Sequence, residues 1–136
     1  MFEAYTTTTT AYNTDQPIVF TSPRYTDCRI TMTSGTSFVI NTPGRYVVSF
    51  TGVGSSGTAA SQFSIQLYKN GVAVPAARSA LTSTVANDQH SLAFTTIVSA
   101  LPSCCAVDNR DTYQIVVTST NAGNLYNGDL VIYRLR

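Results

Sequence analysis

The constraint that acts most strongly on this chain is the contrast between two kinds of extended run, in a sequence with no helical period. No segment sustains apolar residues at i, i+3, i+4 and i+7, whereas strand-like runs recur between clusters of Gly, Pro, Asn and Asp. In Gln62-Phe63-Ser64-Ile65-Gln66-Leu67 apolar and polar residues alternate, and Thr112-Tyr113-Gln114-Ile115-Val116-Val117-Thr118 nearly does the same. Such strands have one buried and one wet face. Ile18-Val19-Phe20, Tyr46-Val47-Val48, Leu92-Ala93-Phe94 and Leu130-Val131-Ile132-Tyr133 are apolar on both faces. In a two-sheet sandwich the outer face of a two-sided strand needs a loop or another subunit to cover it.

Strands are expected near Ile18-Phe20, Arg29-Thr33, Ser37-Ile40, Arg45-Val53, Gln62-Tyr68, Ser91-Val98, Thr112-Thr118 and Gly128-Arg134. Between them lie Thr42-Pro43-Gly44, Gly52 to Gly57, Asn70-Gly71, Pro102, Asp108-Asn109 and Asn121 to Gly123. Asn70-Gly71 is the sharpest turn signal, because Asn followed by Gly suits positive φ at both central positions of a hairpin. Gly52 to Gly57 is expected as a flexible loop, since no helix follows that would hold a phosphate at its N-terminus. About eight antiparallel strands follow, for which an all-β sandwich or barrel is the natural architecture.

At 136 residues the chain makes one domain of ordinary size. Residues 16–136 are expected to form it. Residues 1–15, with the uncharged run Thr6 to Thr10, are expected as an extended arm, free or ordered against a partner, with Phe2, Tyr5 and Tyr12 as its attachment residues. Asp, Glu, Lys and Arg supply 11% of the chain and the formal net charge is +1. With the basic residues scattered in sequence, this composition argues against nucleic-acid binding, which needs clustered Lys and Arg. No run approaches the ~20 apolar residues of a membrane helix, and no partner membrane is expected. Met1-Phe2-Glu3-Ala4-Tyr5 lacks the basic and apolar regions of a secretory signal, so cytoplasmic synthesis is expected.

Three cysteines, Cys28 and the neighbours Cys104-Cys105, make no disulfide framework. Cys28 is expected as a small buried hydrophobe; Cys104-Cys105 is open to being free, bridged or metal-bound. His90 is the single histidine, with Asp88 two residues before it and no Gly-x-Ser-x-Gly elbow in the chain. A hydrolase triad therefore has little support and no enzyme is expected. Asp108-Asn109-Arg110-Asp111 reads as a turn; Asp108 and Asp111 are weak calcium candidates. No cofactor is expected.

Phe38-Val39-Ile40-Asn41-Thr42-Pro43-Gly44-Arg45-Tyr46-Val47-Val48-Ser49-Phe50 resembles a segment of the jelly-roll superfamily of tumour necrosis factor and complement subcomponent q heads. In that family an apolar strand is followed by Gly-x-Tyr-x-apolar-x-Phe/Tyr. Ile65 to Val72 is similar to its apolar-x-Leu-x-x-Asn-Gly hairpin, and Gly128 to Leu135 to its closing strand. Ala11-Tyr12-Asn13-Thr14 and the Cys-Cys loop resemble the bacterial and phage branch, which includes C-terminal domains of collagen-like spore-coat glycoproteins. The resemblance spans roughly residues 11–136; no Gly-x-y repeat precedes it.

The resemblance implies an all-β antiparallel jelly-roll sandwich of about eight to ten strands, assembled as a compact homotrimer with the terminal-strand sheet around the threefold axis. The core or trimer-interface candidates are Ile18, Phe20, Tyr46, Val48, Phe50, Leu92, Phe94, Val131, Ile132 and Tyr133, with faces unassigned because a one-residue register slip exchanges them. The expected function is a non-enzymatic structural protein of a virion or of a bacterial or spore surface: a phage capsid decoration, head fibre or fibre knob attached through the N-terminal arm. The alternative is an adhesin tip that binds a host receptor or glycan through Tyr5, Tyr12, Tyr25, Asn124 and Tyr126.

Overall fold

The computed structural model describes residues 1–100 and 111–136. Among them are eleven strands and no helix: β1 Phe2–Thr6, β2 Thr10–Tyr12, β3 Ser22–Tyr25, β4 Ile30–Thr33, β5 Ser37–Ile40, β6 Gly44–Ser56, β7 Ser61–Lys69, β8 Val72–Ser83, β9 His90–Ala100, β10 Asp111–Val117 and β11 Gly123–Arg134. They form two antiparallel sheets. One has the order β3-β1-β11-β6-β9, with β2 also on β11; the other runs β4-β5-β10-β7-β8. The two kinds of run separate accordingly. The two-sided runs at 46–48, 92–94 and 130–133 belong to β6, β9 and β11, neighbours in the first sheet. The alternating runs belong to β7 and β10, neighbours in the second.

The inner faces meet in one core. Phe2, Tyr46, Val48, Phe50, Leu92, Phe94 and Ile132 from the first sheet face Phe38, Phe63, Ile65, Leu67, Tyr113 and Ile115 from the second. Phe50 sits at its centre, stacked on Phe94 at 5.9 Å and edge-on to Phe20 at 6.4 Å, separations at which aromatic pairs attract. Phe38 stacks on Tyr113 at 5.5 Å.

Several expectations need correction. Residues 1–15 are no separate arm: β1 lies between β11 and β3, β2 pairs with β11, and Phe2, Ala4 and Tyr12 are buried. The alternation Phe2-Glu3-Ala4-Tyr5-Thr6 turns Phe2, Ala4 and Thr6 inward, and at five residues it is a short signal. Ile18-Val19-Phe20 is no strand. It runs extended along the edge of β10, with the Ile18 amide donating to the Ile115 carbonyl at 2.7 Å, and Ile18 and Phe20 are buried. The strand β8 was not anticipated.

Gly52 to Gly57 is likewise no flexible loop, because β6 continues through Gly52 and Gly54 to Ser56. A Cβ at Gly52 would lie 2.6 Å from the Asn127 carbonyl oxygen, so glycine here serves close strand approach beside the irregularity between Leu125 and Asn127. Cys28, expected to be buried, is exposed. The Asn70-Gly71 expectation agrees with the structure, with φ of 51° and 79° joining β7 to β8.

Candidate functional site

The chemistry-bearing positions expected from the sequence do not converge. His90 Nε2 and Asp88 Oδ2 are 2.9 Å apart and both side chains are well exposed. Among the described residues no hydroxyl or thiol bonds to that ring. Asp111 is 3.3 Å from Lys69 Nζ and accepts a hydrogen bond from Asn70 Nδ2 at 3.0 Å, so it is already partnered on the hairpin. Asp108 and Cys104-Cys105 lie outside the described residues. Among the described residues there is no group of three or more metal-ligating side chains, and no helix long and apolar enough to cross a membrane.

The tyrosines expected in loops all lie in strands instead: Tyr5 in β1, Tyr12 in β2, Tyr25 in β3 and Tyr126 in β11. Tyr12 is buried, its hydroxyl accepting from the Val19 amide at 3.1 Å, and the Tyr126 hydroxyl bonds to Ser55 Oγ at 2.9 Å. Asn124 is half-buried and donates to Asn87. Tyr5 is half-buried on β1; Tyr25 is exposed, with the Arg24 guanidinium 5.3 Å from its ring centre.

What the fold does bring together is the outer face of the first sheet. Residues opposite one another in register share a face. Tyr133 of β11, Val47 of β6 and Ile97 of β9 therefore form one transverse row. Glu3, Val131, Ser49 and Thr95 form the next, with Ser49 and Thr95 hydroxyls 3.1 Å apart. Tyr5, Asp129, Thr51 and Ala93 form the third. Ile97 is 60% exposed and Tyr133 43%, whereas Val47 between them is only 7% exposed. Of the ten interface or core candidates, Val131 and Tyr133 lie on this outer face. Ile18, Phe20, Tyr46, Val48, Phe50, Leu92, Phe94 and Ile132 are buried in the monomer's own core. Val47 and Ile97 are outer-face members the candidate set lacks. Val47 sits inside the quoted Tyr46-Val47-Val48 run, so the signal was present; the face it occupies needed the register.

Beside the apolar row, Glu3, Tyr5, Thr6, Arg24, Asn127 and Asp129 line an open cleft of about 400 Å³. Glu3 is 9% exposed, and Arg24 Nη1 reaches its Oε1 at 3.4 Å. Among the described residues, none donates a hydrogen bond to the buried Asp129 Oδ1. Burial pushes the Asp129 carboxyl above the ordinary value of 3.8; the neighbouring Glu3 carboxylate adds to this, and Arg24 opposes it. An arrangement of two carboxyls and one guanidinium on a partly apolar sheet face can bind and release a proton.

No protein-family model and no curated protein matches the chain. Solved structures do match in fold. Eiger TNF from S. frugiperda superposes with a TM-score of 0.71 at 14% identity, covering 98% of this chain and 92% of that one. The globular domain of zebrafish complement 1qA protein gives 0.65 at 14% identity, with 98% of both chains covered. Murine APRIL at pH 5.0 gives 0.64 at 7% identity, again with 98% of both covered. The fold is the all-β jelly roll of tumour necrosis factor and complement 1q domains.

Proposed function

We propose that this chain is a non-enzymatic structural protein that assembles as a homotrimer through the outer face of the β3-β1-β11-β6-β9 sheet. The observation that carries the reading is the row Tyr133-Val47-Ile97, apolar side chains side by side on three neighbouring strands and turned away from the core. Scattered exposed apolar residues are ordinary, but a contiguous row on a sheet face is what a partner covers. The sequence resemblance implies the same sheet around a threefold axis. The finer assignment, a virion or spore-surface component such as a phage head fibre or capsid decoration, is supported by that resemblance to the bacterial and phage branch. Attachment through residues 1–15 would use side chains still exposed there, such as Thr7, Thr8 and Thr9 between β1 and β2 and Asn13 and Thr14 after β2.

Light scattering at micromolar concentration tests assembly. The expected mass is near three chains, falling to one chain in Ile97→Asp with the strand signature in circular dichroism retained. A wild-type chain that runs as a monomer throughout the micromolar range overturns the reading.

A further inference from the structure

We propose that Glu3 and Asp129 form a proton-operated lock on this assembly face, so that the homotrimer tightens as the solution is acidified. The inference rests on the homotrimer reading and deepens it.

The geometry sets the two carboxyls against each other. Glu3 is opposite Val131 and Tyr5 is opposite Asp129, so Glu3 and Asp129 are diagonal neighbours across the β1–β11 pair on one face. Their surroundings supply one positive charge, Arg24 of β3, which is 3.4 Å from Glu3. Among the described residues, the remaining titratable neighbours are Tyr5 of β1 and Tyr25 of β3, and the β6 residues directly opposite Val131 and Asp129 are the uncharged Ser49 and Thr51. With both carboxyls ionised, the buried Asp129 Oδ1 has no donor among the described residues, which is costly. A proton on Asp129 removes the mutual repulsion and gives Asp129 an O–H to donate to Glu3.

Covering this face with neighbouring chains takes water from the cleft and penalises the doubly charged state further. Assembly then draws in up to one proton per chain. Because the Asp129 carboxyl is already held above 3.8 and burial raises it again, its contribution to assembly is complete below the dissociated chain's value and lost as pH rises through the assembled value. For three chains, the concentration at half-assembly rises by as much as about 30-fold per pH unit inside that window.

Sedimentation of the full chain between pH about 4 and about 8 tests this across the carboxylate range. The expected result is a trimer in acid that dissociates at progressively higher concentration as pH rises. Asp129→Asn, whose amide is a permanent donor to Glu3, is expected to assemble with no such slope. A wild-type trimer with a flat profile, or an Asp129→Asn trimer that keeps the wild-type slope, overturns the lock and leaves the homotrimer standing. A monomer at every pH overturns both. A second measurement needs no trimer: carbon-detected NMR titration of Asp129 in Ile97→Asp is expected to give a midpoint above 3.8. A midpoint at or below that value also overturns the lock.

Discussion

Arg134, near the end of β11, donates from Nη2 to the carbonyl oxygen of Pro43 at 2.9 Å and closes the corner that precedes β6. The closure depends on Gly44. Its φ is 151°, and a Cβ there would stand 2.7 Å from Arg134 Nε. Tyr46, two residues on, is buried and donates its hydroxyl to the Thr42 carbonyl at 2.8 Å, so the corner is tied from both sides. The last strand thus holds the start of the strand beside it.

Gly44→Ala is expected to lose about 1–3 kcal/mol, because a side chain is strained at this φ and must displace the guanidinium from Pro43. Urea unfolding measures it. Arg134→Ala should lose less, since it removes the bond without imposing the strain. A Gly44→Ala midpoint equal to wild type contradicts the strained corner.

β1 contributes to the fold itself. Phe2 is 1% exposed in the core and its strand pairs on both sides. Phe2→Ala is therefore expected to cost about 3–5 kcal/mol. Deleting residues 1–6 should lower the thermal midpoint of the whole domain sharply. A truncated chain that melts as the full chain does would mean that β1 is peripheral after all.

Tyr113 gives a prediction of the opposite sign. Its ring is fully buried against Phe38, but among the described residues its buried hydroxyl has no hydrogen-bond partner, and burial pushes its ionisation well above the usual tyrosine value. Tyr113→Phe keeps the stacking and removes an unsatisfied polar group, so stability should stay level or rise by about 1 kcal/mol. A loss of more than about 1 kcal/mol in chemical denaturation would point to a hydrogen bond made by that hydroxyl.

How much of this was legible beforehand depends on the range of the interaction. Asn70-Gly71 was readable because a two-residue turn is chosen by local φ preferences. The alternating runs of β7 and β10 were readable because a period of two reports one wet face. β1 was not, since five residues beside a threonine run carry little pattern until β11 and β3 bracket them. β6 was expected to end at Val53 because the Gly-rich run Gly52 to Gly57 looks like a break; only the Asn127 carbonyl against Gly52 explains why no larger residue fits there.

By itself the sequence determined that the chain is built of antiparallel strands and that some of them are apolar on two sides, because side-chain alternation is a property of each strand alone. It could not say which of Tyr46, Val47 and Val48 look inward. Register decided that: opposite Tyr133 and Ile97, Val47 faces out, while Tyr46 and Val48 fill the core. Register also set Glu3 beside Asp129, residues 126 positions apart in the chain (129 − 3). A shift of one residue in the β1–β11 pairing would have put Glu3 on the opposite face from its partner, since successive side chains of a strand point to opposite sides.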